Sequence, residues 1–368
     1  MKITVESDSY NQAIDTIINL IGTEAECILT VEDSKASIET SNPESWLRLP
    51  LKLTKSEGRG KIFTKVEFLR IVNPKTKTMT MTYDGSDHVE VEMGRTRGAI
   101  RVLREDDIEV EQPEDPIKVS AMMPVKLLKF ATGAVVFKPL LDASSPNAIL
   151  EIESGELSLS SYDTYVGTSY AARNEEVKSK GSFKIVIGLD YWKLLIGRLG
   201  IDGMVKMGAN DRNFRMKTPA FDLYHAVIQT GRLQNVRDVI SKFLTGDSRA
   251  VIEFDGKAVT DAIESAKGII KQGNKDDARF VITLKDGTAI LSAESSAGEI
   301  EAEFDISGFD SDEEVEFRTS STTFADTLKL TRDEGLKYGP VRLTVLEDHL
   351  VMESLKVPAS SIAPTLQG

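Results

Sequence analysis

A single cysteine, Cys27, stands in 368 residues. It excludes an intrachain disulfide and any zinc cluster built from thiolates. Its place at an apolar position of an expected strand makes it a buried, inert thiol, compatible with a reducing compartment. Histidine is nearly as scarce: His88, His225 and His349 fall in three different thirds of the chain, so no HxxH or HExxH pair exists. Runs of about 18 apolar residues, long enough to cross a bilayer as a helix, are missing. The opening MKITVESDSYNQ lacks the apolar stretch of a secretory signal. The expectation is a soluble, cytoplasmic protein that inserts into no membrane. Basic charge is also in deficit, with 45 Lys and Arg against 58 Asp and Glu and a formal net charge of −13. That balance argues against a surface built to grip a polyanion all over.

Signatures of catalysis are missing as well. GRGK at 58–61 has Ile62 where a phosphate loop needs Ser or Thr, and it reads as a basic loop between strands. The Ser-rich SSYD lacks the GxSxG elbow of hydrolases. The acidic runs DD (106–107), KDD (275–277) and DSDEE (310–314) have no EF-hand spacing and read as solvated turns. No metal, cofactor or catalytic residue is expected, and a long chain without reactive groups reads as a binding or scaffolding protein.

What is present is a repeat. ILEIESGELSLSSYD from Ile149 returns as FVITLKDGTAILSAESS from Phe280 and, more loosely, as CILTVEDSKASIETSN from Cys27. Each copy alternates apolar and polar residues, breaks at a tight polar turn and alternates again, as a β-hairpin does. Around each hairpin the same order recurs: a strand, a helix, the hairpin, a strand, a second helix and a closing hairpin. In the first third Ile14, Ile17, Ile18 and Ile21 mark one helix face, and Thr64 with Glu67 reads as a capping box. The closing hairpin turns near Asp84 and Gly85. Leu127, Leu128, Ala131 and Val135 mark the corresponding face in the second third. Val259, Ala262, Ile263 and Ala266 do so in the last, with Asp255 as its N-cap. EQPEDP (111–116) and the polar stretch around LTGDS (244–248) make natural boundaries. The reading is an α+β chain of three tandem domains, 1–115, 116–245 and 246–368, each with two helices on antiparallel sheets.

Taking the helices as 8–21, 64–73, 124–138, 189–200, 256–272 and 321–335, Lys and Arg outnumber Asp and Glu within them, while the remaining residues carry a large negative excess. Helices bearing Lys65, Arg70, Lys126, Lys129, Lys193, Arg198, Lys257, Lys267, Lys271, Lys329 and Arg332 are candidates to face phosphates. Ordinary solvated helix faces give the same count.

At this point the chain resembles a known family, the bacterial β-type DNA sliding clamps that serve replicative DNA polymerase as processivity factors. NAILEIESGELSLSSYDTYVGTSYAARN resembles the family's hairpin followed by its Thr-Asp-Gly-His-Arg-Leu segment. GSFKIVIGLDYWKLLIGRL and NFRMKTPAFDLYHAVIQTGRLQNVRDVI then follow in family order. MGRTRGAIRVL resembles the strand that closes the family's first domain, and IAPTL its closing apolar-Met-Pro-Met segment. The collinearity runs over nearly the whole chain.

The resemblance implies a DNA clamp fold and a head-to-tail homodimer, a ring of six domains around duplex DNA with helices inside and strands outside. It implies double-stranded DNA held without regard to sequence, a replicative polymerase and a clamp loader as partners, and no catalytic activity. It also implies a peptide pocket, carried here by Tyr162, Tyr165, Val166, Gly167, Val239, Ile362, Ala363 and Pro364. This chain departs from the pattern at Thr164-Tyr165-Val166-Gly167, where the family has Gly-His-Arg-Leu, and at Gln234, Gly98, Thr23, Glu24, Ala143 and Ser144. Read from residues alone, two other classes stay open: a repeat-built scaffold that binds proteins without enclosing DNA, and an enzyme assembled from dispersed carboxylates.

Overall fold

Two-residue turns fix the local plan. Ser154 and Gly155 both take positive φ, +48° and +81°, the backbone that matches the right-handed twist of a hairpin. The strands they join pair from Asn147↔Tyr162 to Glu153↔Glu156. Asp286 and Gly287 join Lys285↔Thr288 in the last third, and Asp33 and Ser34 join Glu32↔Lys35 in the first. All three hairpins expected from the repeat are formed. The computed structural model describes residues 1–111, 113, 117–118, 120–135, 147–162, 166–200, 202–228, 236–270, 279–295, 298–309, 314–332 and 337–365.

The first third runs β1 (Lys2–Glu6), α1 (Ser7–Leu20), β2 (Glu26–Glu32), β3 (Lys35–Asn42), β4 (Ser45–Leu51), β5 (Leu53–Glu57), β6 (Gly60–Lys65), α2 (Val66–Ile71), β7 (Thr78–Thr82), β8 (His88–Met93) and β9 (Thr96–Arg101). The second runs β10 (Ala121–Pro124), α3 (Val125–Val135), β11 (Asn147–Glu153), β12 (Glu156–Tyr162), β13 (Gly167–Arg173), β14 (Lys178–Ser179), β15 (Phe183–Gly188), α4 (Leu189–Gly197), β16 (Met204–Ala209), β17 (Asn213–Lys217) and β18 (Asp222–Ala226). After α5 (Val236–Leu244) come β19 (Ala250–Asp255), α6 (Gly256–Ile270), β20 (Arg279–Lys285), β21 (Thr288–Ser295), β22 (Gly298–Asp305), β23 (Val315–Ser320), α7 (Ser321–Leu328), β24 (Pro340–Val345), β25 (His349–Ser354) and β26 (Ala359–Pro364). The recurring order is confirmed and extended. A third strand follows each opening hairpin (β4, β13, β22), and another completes each closing run (β9, β18, β26).

Two compact units divide the chain, one of residues 1–126, 178–185 and 193–229, the other of 127–177, 186–192 and 230–368. In the first, one sheet has the order β5-β1-β7-β8-β9 and the other β14-β10-β16-β17-β18-β4-β3-β2-β6. In the second, the orders are β15-β11-β12-β13-β26-β25-β24-β19 and β22-β21-β20-β23. A rule is visible here. The last strand of the second third, β18, pairs antiparallel with β4 of the first, and the last strand of the final third, β26, pairs antiparallel with β13 of the second.

Helix faces follow the apolar spacing with one rotation. Leu127, Leu128, Ala131 and Val135 are all buried, as are Val259, Ala262, Ile263 and Ala266, and Asp255 Oδ1 accepts from the Lys257 backbone N–H at 3.0 Å as an N-cap does. On α1 the buried stripe is Tyr10, Ala13, Ile14, Ile17 and Leu20, leaving Ile18 and Ile21 half-exposed. Tyr10 turns the helix: its hydroxyl donates to the Leu69 carbonyl of α2 at 2.8 Å, and a buried phenol needs such a partner. Cys27 is buried, as expected, and burial pushes its thiol well above the ordinary range.

Three expectations are corrected. Thr64 does not cap α2, because it lies in β6 and its hydroxyl donates to the Arg101 carbonyl at 2.8 Å. α2, α4 and α7 end short of the expected spans, at Ile71, Gly197 and Leu328. A seventh helix, α5, was not expected, although Val236, Val239, Ile240, Phe243 and Leu244 carry helical spacing.

His225 of β18 illustrates what the shared sheet imposes. It is buried, with its Nδ1 2.7 Å from Ser45 Oγ and its ring 5.8 Å from that of Phe214. Burial pushes its pKa from 6.5 down to about 4. The unfolded chain therefore takes up a proton more readily than the folded one. Stability should be steady above pH about 6.5 and fall toward pH 4, by up to about 3 kcal/mol from this group. His225→Gln should remove that component, and urea denaturation across this pH window would show it; an unchanged slope would place the acid sensitivity elsewhere.

Candidate functional site

The described peptide-pocket residues come from four elements of the second unit, β12, β13, α5 and β26, with Val166 just before β13. Antiparallel pairing of β13 with β26 sets Gly167 opposite Ile362. Val166, 2% exposed, packs with Ala363, 5% exposed. Alongside lies α5, whose amphipathic spacing gives it an apolar face: Val236 and Ile240 pack on Leu346, Val351 and Ile362, with Phe243 and Leu244 at the margin. Arg237 Nη1 donates to Glu156 Oε1 at 2.9 Å, tying α5 to β12, and the Phe243 ring lies 4.6 Å from that of His349.

The structure thus brings Val166, Gly167, Val239, Ile362, Ala363 and Pro364 into one neighbourhood. Ile362 and Ala363 are almost wholly buried there, while Val239 and Pro364 remain half-exposed. Tyr162 ends β12 with its backbone paired to Asn147 and Gly167. Tyr165, Thr164, Gln234, Ala143 and Ser144 lie outside the described residues.

The candidate DNA-facing residues are scattered and several are engaged. Lys65 precedes α2 and is half-exposed, and Arg70 is exposed at its last turn. Lys126 is exposed on α3, Lys129 half-exposed on the same helix; Lys193 lies on α4 and Arg198 just after it, both half-exposed. Lys257 is bridged at 2.5 Å to Asp261, whose carboxylate raises the ammonium above its ordinary value. Lys329 is bridged to Asp326. Arg332 lies 4.4 Å from the centre of the Tyr338 ring and contacts its hydroxyl. Lys267 lies on α6, and Lys271 lies outside the described residues.

Among the described residues, the seven helices carry eight Lys or Arg and eight Asp or Glu. The positive excess expected of them belonged to flanking residues such as Lys65, Arg198, Lys329 and Arg332. Among the described residues no group of three or more His, Cys, Asp or Glu is placed to hold a metal ion, and no helix is long and apolar enough to cross a membrane.

By sequence, no protein-family model matches the chain and no curated protein is similar to it. Solved structures are another matter. The DNA polymerase III subunit beta of Pseudomonas aeruginosa superposes with a TM-score of 0.82 at 14% identity, over 100% of both chains. The beta subunit of DNA polymerase from Streptococcus pyogenes gives 0.82 at 11%, again over 100% of both. The DNA polymerase III beta subunit of Thermotoga maritima gives 0.78 at 12%, over 100% of this chain and 99% of that one. Identities this low carry fold and not mechanism. Across its full length, the chain has the DNA clamp fold of the bacterial polymerase beta subunits.

Proposed function

We propose that this chain is a DNA polymerase processivity factor: two copies joined head to tail form a closed ring that encircles duplex DNA and tethers the replicative polymerase. A clamp loader would place it, and it would do no chemistry of its own. The three tandem repeats would be 1–115, 116–245 and 246–368.

The observation that carries this reading is the strand rule. The closing strand of each later third completes the sheet of the third before it, β18 on β4 and β26 on β13. Two corresponding strands are left over at sheet edges, β9 of the first third and β22 of the last. Continuing the rule into a second copy pairs β9 with that copy's β22, and twofold repetition closes the assembly. The charges agree. On β9 and the turn before it, Arg95, Arg97 and Arg101 are exposed, while β22 exposes Glu299, Glu301, Glu303 and Asp305.

Balanced helix charge suits the role. Phosphate contacts that release many counterions bind tightly and with steep salt dependence, whereas a ring that holds DNA by enclosure must slide. Of the candidates, Arg70, Lys126, Lys257 and Lys329 are exposed, and since Lys257 and Lys329 are bridged to Asp261 and Asp326, Lys126 and Arg70 are the first to assign to the DNA side. The edge formed by Val239 and Pro364 would receive partner peptides, with the buried Val166, Ile362 and Ala363 supporting it.

The test combines mass and topology. In solution the protein should have a mass of about twice 40.5 kDa. Once loaded, it should stay on nicked circular DNA and leave when that DNA is linearised. A monomer with no topological retention would overturn the proposal and favour a protein-binding scaffold.

A further inference from the structure

A strand sends its side chains alternately to two faces, and on β9 and β22 those faces differ in chemistry. On β9, Arg97, Ala99 and Arg101 share one face, and Thr96, Gly98 and Ile100 the other. On β22, Glu299, Glu301, Glu303 and Asp305 share one face, and Ile300, Ala302 and Phe304 the other. Register identifies the inner faces. Gly98 and Ile100 stand opposite the buried Val91 and Val89 of β8, while Ile300, Ala302 and Phe304 stand opposite the buried Ala293, Leu291 and Ala289 of β21.

Charge is plentiful on the outer faces, but apolar surface is scarce on the inner ones. Ile100 and Phe304 are buried among their own chain's residues, and Ile300 and Ala302 are half-exposed. The large exposed apolar side chains among the described residues, Ile71, Leu194, Ile228, Val251 and Leu355, lie on neither strand. In the middle of β9 the inner face has no side chain at all. Gly98 is exposed, and a Cβ placed on it would meet no atom within 4 Å. Obligate homodimer interfaces are the more hydrophobic kind, and a glycine inside a strand leaves nothing there to pack.

We propose that Gly98 makes the joint between two copies a labile one: main-chain pairing and charge hold it, an apolar plug is missing, and salt opens it. The inference rests on the β9–β22 pairing proposed above and concerns the strength of that pairing. Exposed charges act over about 10 Å at 0.1 M salt and about 3 Å at 1 M. A joint of this make-up loses most of its attraction across that range, whereas apolar contact has no charge to screen. The lifetime of the ring then follows ionic strength.

Sedimentation equilibrium of the full-length protein from about 0.1 M to about 1 M NaCl tests it. The dissociation constant of the unaltered chain should rise at least about a hundredfold. Gly98→Val introduces a residue suited to a strand. It should tighten the dimer about tenfold at each salt concentration, by filling the gap against Ile300 and Ala302 of the second copy. Gly188→Val, at the end of β15 and equally without an atom within 4 Å of its Cβ, should leave dissociation unchanged. A dimer indifferent to salt, or one that Gly98→Val weakens or does not alter, would overturn the inference while leaving the ring intact. Equal tightening by Gly188→Val would also overturn it, by placing the effect in strand stability rather than in the joint. A protein that is monomeric at every salt concentration would instead overturn the pairing itself.

Discussion

Arg97→Glu combined with Arg101→Glu should convert the protein from dimer to monomer at micromolar concentration. Both side chains are exposed on β9, a strand at the end of its sheet with one row of backbone groups open for pairing. Opposite it, on the proposed seam, stand Glu301 and Glu303 of the second copy's β22. Reversal places like charges face to face at each of the two seams, which costs several kcal/mol per interface and weakens association by about a thousandfold. Arg97 now contacts Glu92 of its own sheet at 3.2 Å, an exposed pair that contributes little to stability, so the folded chain should survive the change. Adding Glu301→Arg and Glu303→Arg to the same chain should restore the dimer, since every seam again joins opposite charges. Sedimentation of the double and quadruple variants reads the result. A double variant that stays dimeric, or a quadruple variant that stays monomeric, would show that these strands do not form the seam.

The second large effect is on stability. Trp192 of α4 is fully buried, and its Nε1 donates to Thr132 Oγ1 of α3 at 3.0 Å. That hydroxyl in turn donates to the Leu128 carbonyl at 2.8 Å, so one short relay fixes α3 and α4 against each other. Trp192→Ala should cost about 3–5 kcal/mol, the combined loss of buried apolar surface and the cavity left behind. Trp192→Phe keeps most of the volume and leaves Thr132 its own acceptor, so about 1–2 kcal/mol is expected. Urea denaturation followed by circular dichroism would check both, and a loss under about 1 kcal/mol for the alanine variant would show that the site collapses around the missing ring.

Much of the fold was legible in the sequence because it is local. The hairpins at Cys27, Ile149 and Phe280 announce themselves by alternation and turn residues, and the α3 and α6 faces by spacing. What escaped was non-local or ambiguous. No pattern along the chain says that β18 completes the sheet begun by β4, since the partners Ser45 and His225 are 180 residues apart. α5 escaped although its apolar spacing was present, masked by a polar, Gly-containing neighbourhood that reads as linker. The lengths of α2, α4 and α7 were overestimated because Lys and Arg at helix ends, such as Lys65, Arg198 and Lys329, fit a helical pattern equally well, and this contributed to the apparent positive excess. The peptide-pocket residues could be grouped only through resemblance to a family, for nothing in their spacing relates Gly167 to Ile362.

The sheet shared by β4 and β18 also bears on how the protein is made. A ribosome emits the first third long before Asp222–Ala226 exists, so the outer side of β4 must wait, unpaired, through nearly half of synthesis. Translation arrested in that interval would leave a nascent chain with a sticky open strand for a chaperone to cover.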